Sequence, residues 1–256
     1  LSLSIKIRKI PLTLPGIFTQ VTLTLLMVNP VMPRELIYKL KGYLNFLKES
    51  DFIFLEINSI KTQTNQIQGK NAGDLRRIAD EIASCVKCGL AQGRTQTVPG
   101  DGNPLAKLVF VGEAPGYYED QQGVPFVGAA GKLLEKLLYR IRLDRSQVFI
   151  CNVVKCRPPE NRDPLPDEIH ACEPYLLRQI DVLKPLVICA LGRYAAQTLL
   201  RTDKGINALR GSFYLYHDIP LLPTLHPAAV LRSPGQLKEV EQDFDLIRQK
   251  LKEIGG

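Results

Sequence analysis

The chain is short of cysteine and histidine: its 256 residues include six cysteines, three histidines and no tryptophan. That cysteine density excludes a small secreted scaffold stapled by disulfides, which would be shorter and far richer in thiols. Acidic residues are also in deficit, 26 against 33 Lys and Arg, leaving a formal charge of +7. Such a balance suits a polyanionic partner, nucleic acid among them. With 45% hydrophobic and 23% charged residues, the collagen-like, disordered and polytopic membrane classes are excluded. No internal repeat is apparent. One run, residues 10–32, holds no charge and follows Lys6, Arg8 and Lys9, the layout of a signal peptide or single anchor. Pro11, Pro15, Pro30 and the threonines at 13, 19, 22 and 24 make it a poor spanning helix, so no membrane association is expected.

What is present divides into three stretches. Residues 1–31 read as a disordered or non-native extension, because the chain starts at Leu1 and its methionines are Met27 and Met32. Within 32–73, Leu36, Leu40, Tyr43, Leu44 and Leu47 fall at helical spacing, and residues 57–73 are polar enough for a linker. The domain proper spans 74–256. It opens on a helix capped by Asp74 and running to about Ala83. Short apolar runs follow at 107–112, 148–154, 186–191, 213–216 and 221–224, separated by helical patterns at 128–141, 165–183, 193–200 and 236–254. That alternation predicts an α/β fold: three α/β/α layers around a central, mainly parallel sheet. In such sheets ligands collect at the carboxyl ends of strands, which directs attention to the loops after Val111, Val154 and Thr224.

The first loop, residues 112–131, packs five glycines and two prolines into twenty residues, so its backbone can approach a ligand closely. It offers Phe126 as a stacking ring or a loop anchor, and Glu113 and Glu119 as carboxylates. The second brings Asn152 to a strand end, where an amide supplies both a donor and an acceptor. The third places His226 directly after a strand and before Pro227, a position for charge stabilisation or simply a helix start. Cys85 and Cys88 form one close pair, and Cys156 and Cys172 could supply two further thiolates, for a tetrahedral zinc or an iron–sulfur cluster. Cys151 and Cys189 sit in apolar strands and read as core residues, and His170 as a helix-surface residue.

Together the C-x-x-C pair, GEAPGYYEDQQGVPFVGAAGKLL, NVVKCRPPENRDP with ACEPYL, and HPAAVLR resemble, in order and spacing, the family 4 uracil-DNA glycosylases, the iron–sulfur branch of their superfamily. The resemblance implies that Cys85, Cys88, Cys156 and Cys172 bind a [4Fe–4S] cluster that shapes DNA-facing loops. It implies that Phe126 stacks on an extruded uracil, that Asn152 reads its polar edge, and that His226 stabilises the leaving anion. Gly112 and Ala114 would line the base site. Lys155, Arg157, Arg162 and Arg232 near the mouth would grip phosphates, with Leu231 beside them in a segment suited to insertion. Ala114 stands where the wider superfamily carries an aspartate that assists water, which leaves Glu113 and Glu119 as candidates for that task. The expected activity is hydrolysis of the uracil N-glycosidic bond in single- or double-stranded DNA, starting base-excision repair, by a cytoplasmic monomer. Two alternatives are a non-catalytic iron–sulfur DNA-binding module and a superfamily relative that traps uracil-DNA covalently. The second is disfavoured because no basic insertion precedes Gly211.

Overall fold

The structure is a computed structural model that describes the backbone of residues 2–8, 20–26, 54–55 and 58–255, and side chains over 65–254. The chain divides into two units, residues 1–67 and 68–256. In the first, β1 (Ser2–Arg8) pairs antiparallel with β2 (Gln20–Leu26) and with β3 (Phe54–Leu55). Two of these strands, β1 and β2, fall within the extension expected over 1–31. Their signal is a period of two: Leu3, Ile5 and Ile7 alternate with Ser4, Lys6 and Arg8. The helical spacing of Leu36, Leu40, Tyr43, Leu44 and Leu47 falls outside the described residues.

Residues 58–83 form one helix, α1 (Asn58–Ala83), which corrects the linker expected over 57–73. Asp74 is therefore an interior helical residue, ion-paired to Arg77, and not a cap. Polarity misled here: residues 65–70 are exposed, while Ile78 and Ile82 further along the helix are buried.

The second unit holds a six-stranded sheet. In chain order its strands are β4 (Asp101–Gly102), β5 (Leu108–Gly112), β6 (Phe149–Asn152), β7 (Val187–Leu191), β8 (Tyr214–Tyr216) and β9 (Ile219–Thr224). The spatial order is β4-β6-β5-β7-β9-β8, with the four inner strands parallel and both short edges antiparallel. Both faces of the inner strands are buried, which is why they read as unbroken apolar runs.

Alternate residues feed two cores. Val109, Val111, Ile188 and Ala190 join Ile78 and Ile82 of α1, Leu176 and Ile180 of α4 (Pro166–Leu183), and Ala195 and Leu199 of α5 (Arg193–Leu200). Leu108, Phe110, Val187 and Cys189 join Leu134 and Leu138 of α3 (Ala129–Arg140) and Val240, Phe244 and Ile247 of α8 (Leu237–Gly255). Three short helices complete the unit: α2 (Tyr117–Gln122), α6 (Ile206–Leu209) and α7 (Pro227–Arg232). The expected three-layer α/β/α arrangement is thus present, with most helix limits within a few residues of those expected. Among the described residues no helix is long and apolar enough to cross a membrane.

Candidate active site

The loops leaving β5, β6 and β9 converge at the carboxyl edge of the sheet. Gly112 and Glu113 accept backbone bonds from Val153 and Val154 at 2.9 and 3.1 Å, so the chain leaves β5 and β6 side by side. Between the loops lies a cavity of about 370 Å³ lined by Glu113, Ala114, Phe126, Asn152, His226 and Arg232, among others. That volume suits a small planar ligand.

Asn152 ends β6 with its side chain buried, and its Oδ1 has no hydrogen-bond partner. An unpaired buried acceptor costs about 1–3 kcal/mol, so a donor from a ligand would be favoured there. Gly112 makes this orientation possible. A Cβ at that position would lie 2.4 Å from Asn152 Oδ1 and 2.8 Å from the Phe126 ring.

Phe126 sits at φ 54°, in the left-handed region that bulky residues avoid. Two side chains hold it there. Glu119 accepts from the amides of Val127 and Gly128 at 2.9 and 3.0 Å and from Gly116 at 3.1 Å. Arg145 donates to the carbonyls of Pro125 and Phe126, the latter at 3.1 Å. The Glu119 carboxylate is committed to three backbone amides, which makes it a brace for the stacking ring. Glu119, a catalytic candidate of the sequence, also lines the cavity. Arg145 was not singled out from the sequence, because nothing in its local pattern marks a contact twenty residues away.

His226 caps α7, and its Nδ1 accepts from the Ala228 amide at 3.1 Å. The ring hydrogen therefore resides on Nε2, which leaves a neutral donor available to a ligand. Burial pushes the imidazole pKa down to about 4, and Arg232 acts in the same direction. The ring lies 5.5 Å from that of Phe126, inclined by 32°. Gly192, at φ 91°, passes behind it, where a Cβ would come within 3.0 Å of His226 Cβ.

Glu113 is half-buried at the cavity wall, and burial, reinforced by the charge of Asp163, pushes its carboxyl up to about 7. Arg193 and Arg232 oppose that rise. Ala114 lines the same wall and brings no titratable group. At the mouth, Arg232 and Leu231 are exposed on α7. Arg162 forms a bidentate pair with Glu168 at 2.9 and 2.7 Å. Arg157 bonds Asn161 at 2.7 Å and lies 5.1 Å from the centre of the Tyr117 ring. Lys155 is a correction: it is fully buried behind Asn152 and reaches no phosphate.

A second site forms behind the first. Cys85 and Cys88 follow α1, Cys156 follows β6 and Cys172 lies on α4, and all four line one small cavity with Arg94, Lys155 and Tyr175. All four are free thiols. Arg94 donates to Cys156 Sγ at 3.3 Å and to the Cys85 carbonyl at 2.8 Å. Burial pushes the Cys172 thiol up to about 11, opposed by Lys155. Among the described residues no three Cys, His, Asp or Glu side chains gather closely enough for one metal ion. Cys151 and Cys189 are buried in their strands and His170 is exposed, as expected.

Residues 99–252 match the Uracil DNA glycosylase superfamily. A protein of Sulfurisphaera tokodaii named Type-4 uracil-DNA glycosylase is 50% identical over 184 residues, covering 68% of this chain and 84% of that one. The protein of that name from Saccharolobus solfataricus is 47% identical over 187 residues, covering 70% and 87%. The chain belongs to the type-4 uracil-DNA glycosylase family. A further relative so named, from Archaeoglobus fulgidus, is 47% identical over 178 residues. The superfamily match takes in the loops carrying Glu113, Phe126, Asn152 and His226, together with Cys156 and Cys172, while Cys85 and Cys88 precede it.

Proposed function

We propose that this chain is a uracil-DNA glycosylase, a hydrolase that cleaves the N-glycosidic bond of a uracil extruded from DNA and leaves an abasic site. The observation that carries this reading is the buried, unpaired Oδ1 of Asn152, set in a cavity with the Phe126 ring and the neutral His226 donor. Uracil presents an N3–H donor beside an O4 acceptor, and the Asn152 amide answers both. Cytosine presents the opposite order. Phe126 stacks on the base, and His226 Nε2–H donates to the O2 oxygen, where negative charge grows as the bond breaks. A donor that is already neutral needs no proton transfer to do this. Glu113, next to Ala114, accepts a proton from the water that attacks the sugar, and a carboxyl pKa near 7 suits a general base. Arg157, Arg162 and Arg232 bind phosphates, and Leu231 enters the space the base has left, which offsets the few kcal/mol (about) of unstacking.

Cys85, Cys88, Cys156 and Cys172 would hold a [4Fe–4S] cluster. A cubane binds one thiolate per iron at separate corners, so thiols spread around a cavity fit it better than they fit a single zinc, whose four ligands crowd one point. The cluster would supply structural support for the loops after α1 and β6. Residues 1–31 supply none of the residues in this scheme and are dispensable for it.

The test of function is release of free uracil from a uracil-containing oligonucleotide by the purified full chain. Tight binding without release would favour a DNA-binding module, and a covalent adduct would indicate the trapping relative. A pH profile then examines Glu113. As the base form grows above its pKa, kcat/KM is expected to rise with pH through about 7 and then level. Glu113→Gln should flatten that limb and lower the plateau. His226, with its pKa near 4, stays neutral throughout and contributes no limb there. A limb that persists unchanged in Glu113→Gln would remove Glu113 from the role of base.

A further inference from the structure

Among the described residues, one lysine, Lys155, has no exposed surface. Its Nζ donates to the Asn152 carbonyl and to Gln179 Oε1, both at 2.7 Å. Both acceptors are neutral, whereas an ammonium carries three N–H groups and a full charge. A buried charge without a counter-ion is strongly destabilising. The buried carboxylates among the described residues are occupied elsewhere: Asp120 by the Thr95 amide, Glu168 by Arg162, Glu173 by Arg201 and Asp243 by Arg210. Lys155 is also one of the residues that line the cavity of four cysteines. Its backbone N–H donates to Cys172 Sγ at 3.2 Å, and a second cation, Arg94, donates to Cys156 Sγ. Neutral thiols would give two cations no electrostatic reason to gather there. A thiolate-ligated centre with net negative charge would.

Lys155 also ties this centre to the pocket. One residue holds Cys172 through its amide and the backbone of Asn152 through its ammonium. Gln179 steadies the ammonium from α4 while its own Nε2 donates to the Pro99 carbonyl at 2.7 Å. We propose that Lys155 is the buried counter-charge of the four-cysteine centre and, through the Asn152 carbonyl, the positioning residue that sets the base-reading amide. This rests on reading the four cysteines as an anionic iron–sulfur centre and the cavity as a uracil site.

The experiment uses the full chain purified with its iron. Iron content and uracil release by the parent protein test the underlying reading, and a parent lacking either overturns that reading before any variant is made. Lys155→Met then removes the charge and keeps the bulk. The expected results are a more negative reduction potential and loss of iron to a chelator about 10-fold faster or more. Single-turnover uracil release should also fall, by about tenfold, from the misplaced Asn152. Gln179→Glu is the second variant, close to isosteric. It sets a competing carboxylate against Nζ while leaving the lysine in place, and it should also move the potential negatively. Should Lys155→Met fail to fold, Gln179→Glu decides the counter-charge alone. A potential equal to the parent's in the folded variants overturns the counter-charge. A shifted potential with parental uracil release overturns the positioning role.

Discussion

Replacing His226 with alanine is expected to slow single-turnover uracil release by on the order of 10²-fold or more, with DNA binding nearly intact. The asymmetry follows from when its hydrogen bond matters. In the bound substrate the O2 oxygen is an ordinary carbonyl acceptor, and a bond from Nε2–H adds little. As the glycosidic bond lengthens, negative charge accumulates on that oxygen, and the same bond strengthens in a cavity where water cannot replace it. The Ala228 amide holds Nδ1 at 3.1 Å and so keeps the hydrogen on Nε2 before the substrate arrives. Because the imidazole pKa lies near 4, the loss should be the same at pH 6 and pH 8. Single-turnover rates at saturating enzyme, set beside anisotropy measurements of DNA affinity, separate the two effects. Equal rates for parent and variant would mean that His226 does not face the leaving oxygen.

The second large effect is a change of base preference. Asn152→Asp substitutes an acceptor for the Nδ2 donor, so uracil O4 loses its partner and the N4 amine of cytosine gains one. A site built to hydrogen-bond a ligand's polar edge discriminates strongly, because mismatch strands buried groups with no solvent to receive them. The expected result is a fall of roughly 10²-fold or more in uracil release, and a rise in the cytosine-to-uracil rate ratio. Matched uracil and cytosine oligonucleotides under single-turnover conditions measure both. An unchanged ratio would mean that base identity is read by some other group. The two substitutions should also differ in kind, His226→Ala lowering rate for whichever base is accepted and Asn152→Asp altering which base that is.

Asn152 and His226 were legible in the sequence because they stand at or just beyond the ends of buried strands, which apolar runs reveal, while Phe126 stood out as an aromatic residue within a long glycine-rich loop. Phe126, Asn152 and His226 all fall on the cavity. Residues that hold those three in place were not legible. Arg145 reaches back to Pro125 and Phe126, Gln179 reaches Pro99 across 80 positions, and Glu119 gathers amides from both sides of its loop. Such contacts depend on how separate loops meet, and no local spacing encodes them. Lys155 failed for a related reason: a lysine beside prolines and arginines reads as surface, and only the packing of α4 over β6 encloses it. In α1 the error ran the other way. Residues 65–70 are exposed there, and their Asn, Gln and Lys side chains suit a helix with few neighbours as well as they suit a linker.

The left-handed Phe126 has a consequence for how a search along DNA would proceed. Holding a bulky residue at φ 54° costs about 1–3 kcal/mol, and that strain is met during folding by the Glu119 and Arg145 contacts. No ordering of this loop is then required when a base arrives. A protein that samples many bases for each uracil it meets spends most of its encounters on rejection. A ring already in place lets each extruded base be tried and returned at the speed of its own motion, without waiting for the loop to rearrange.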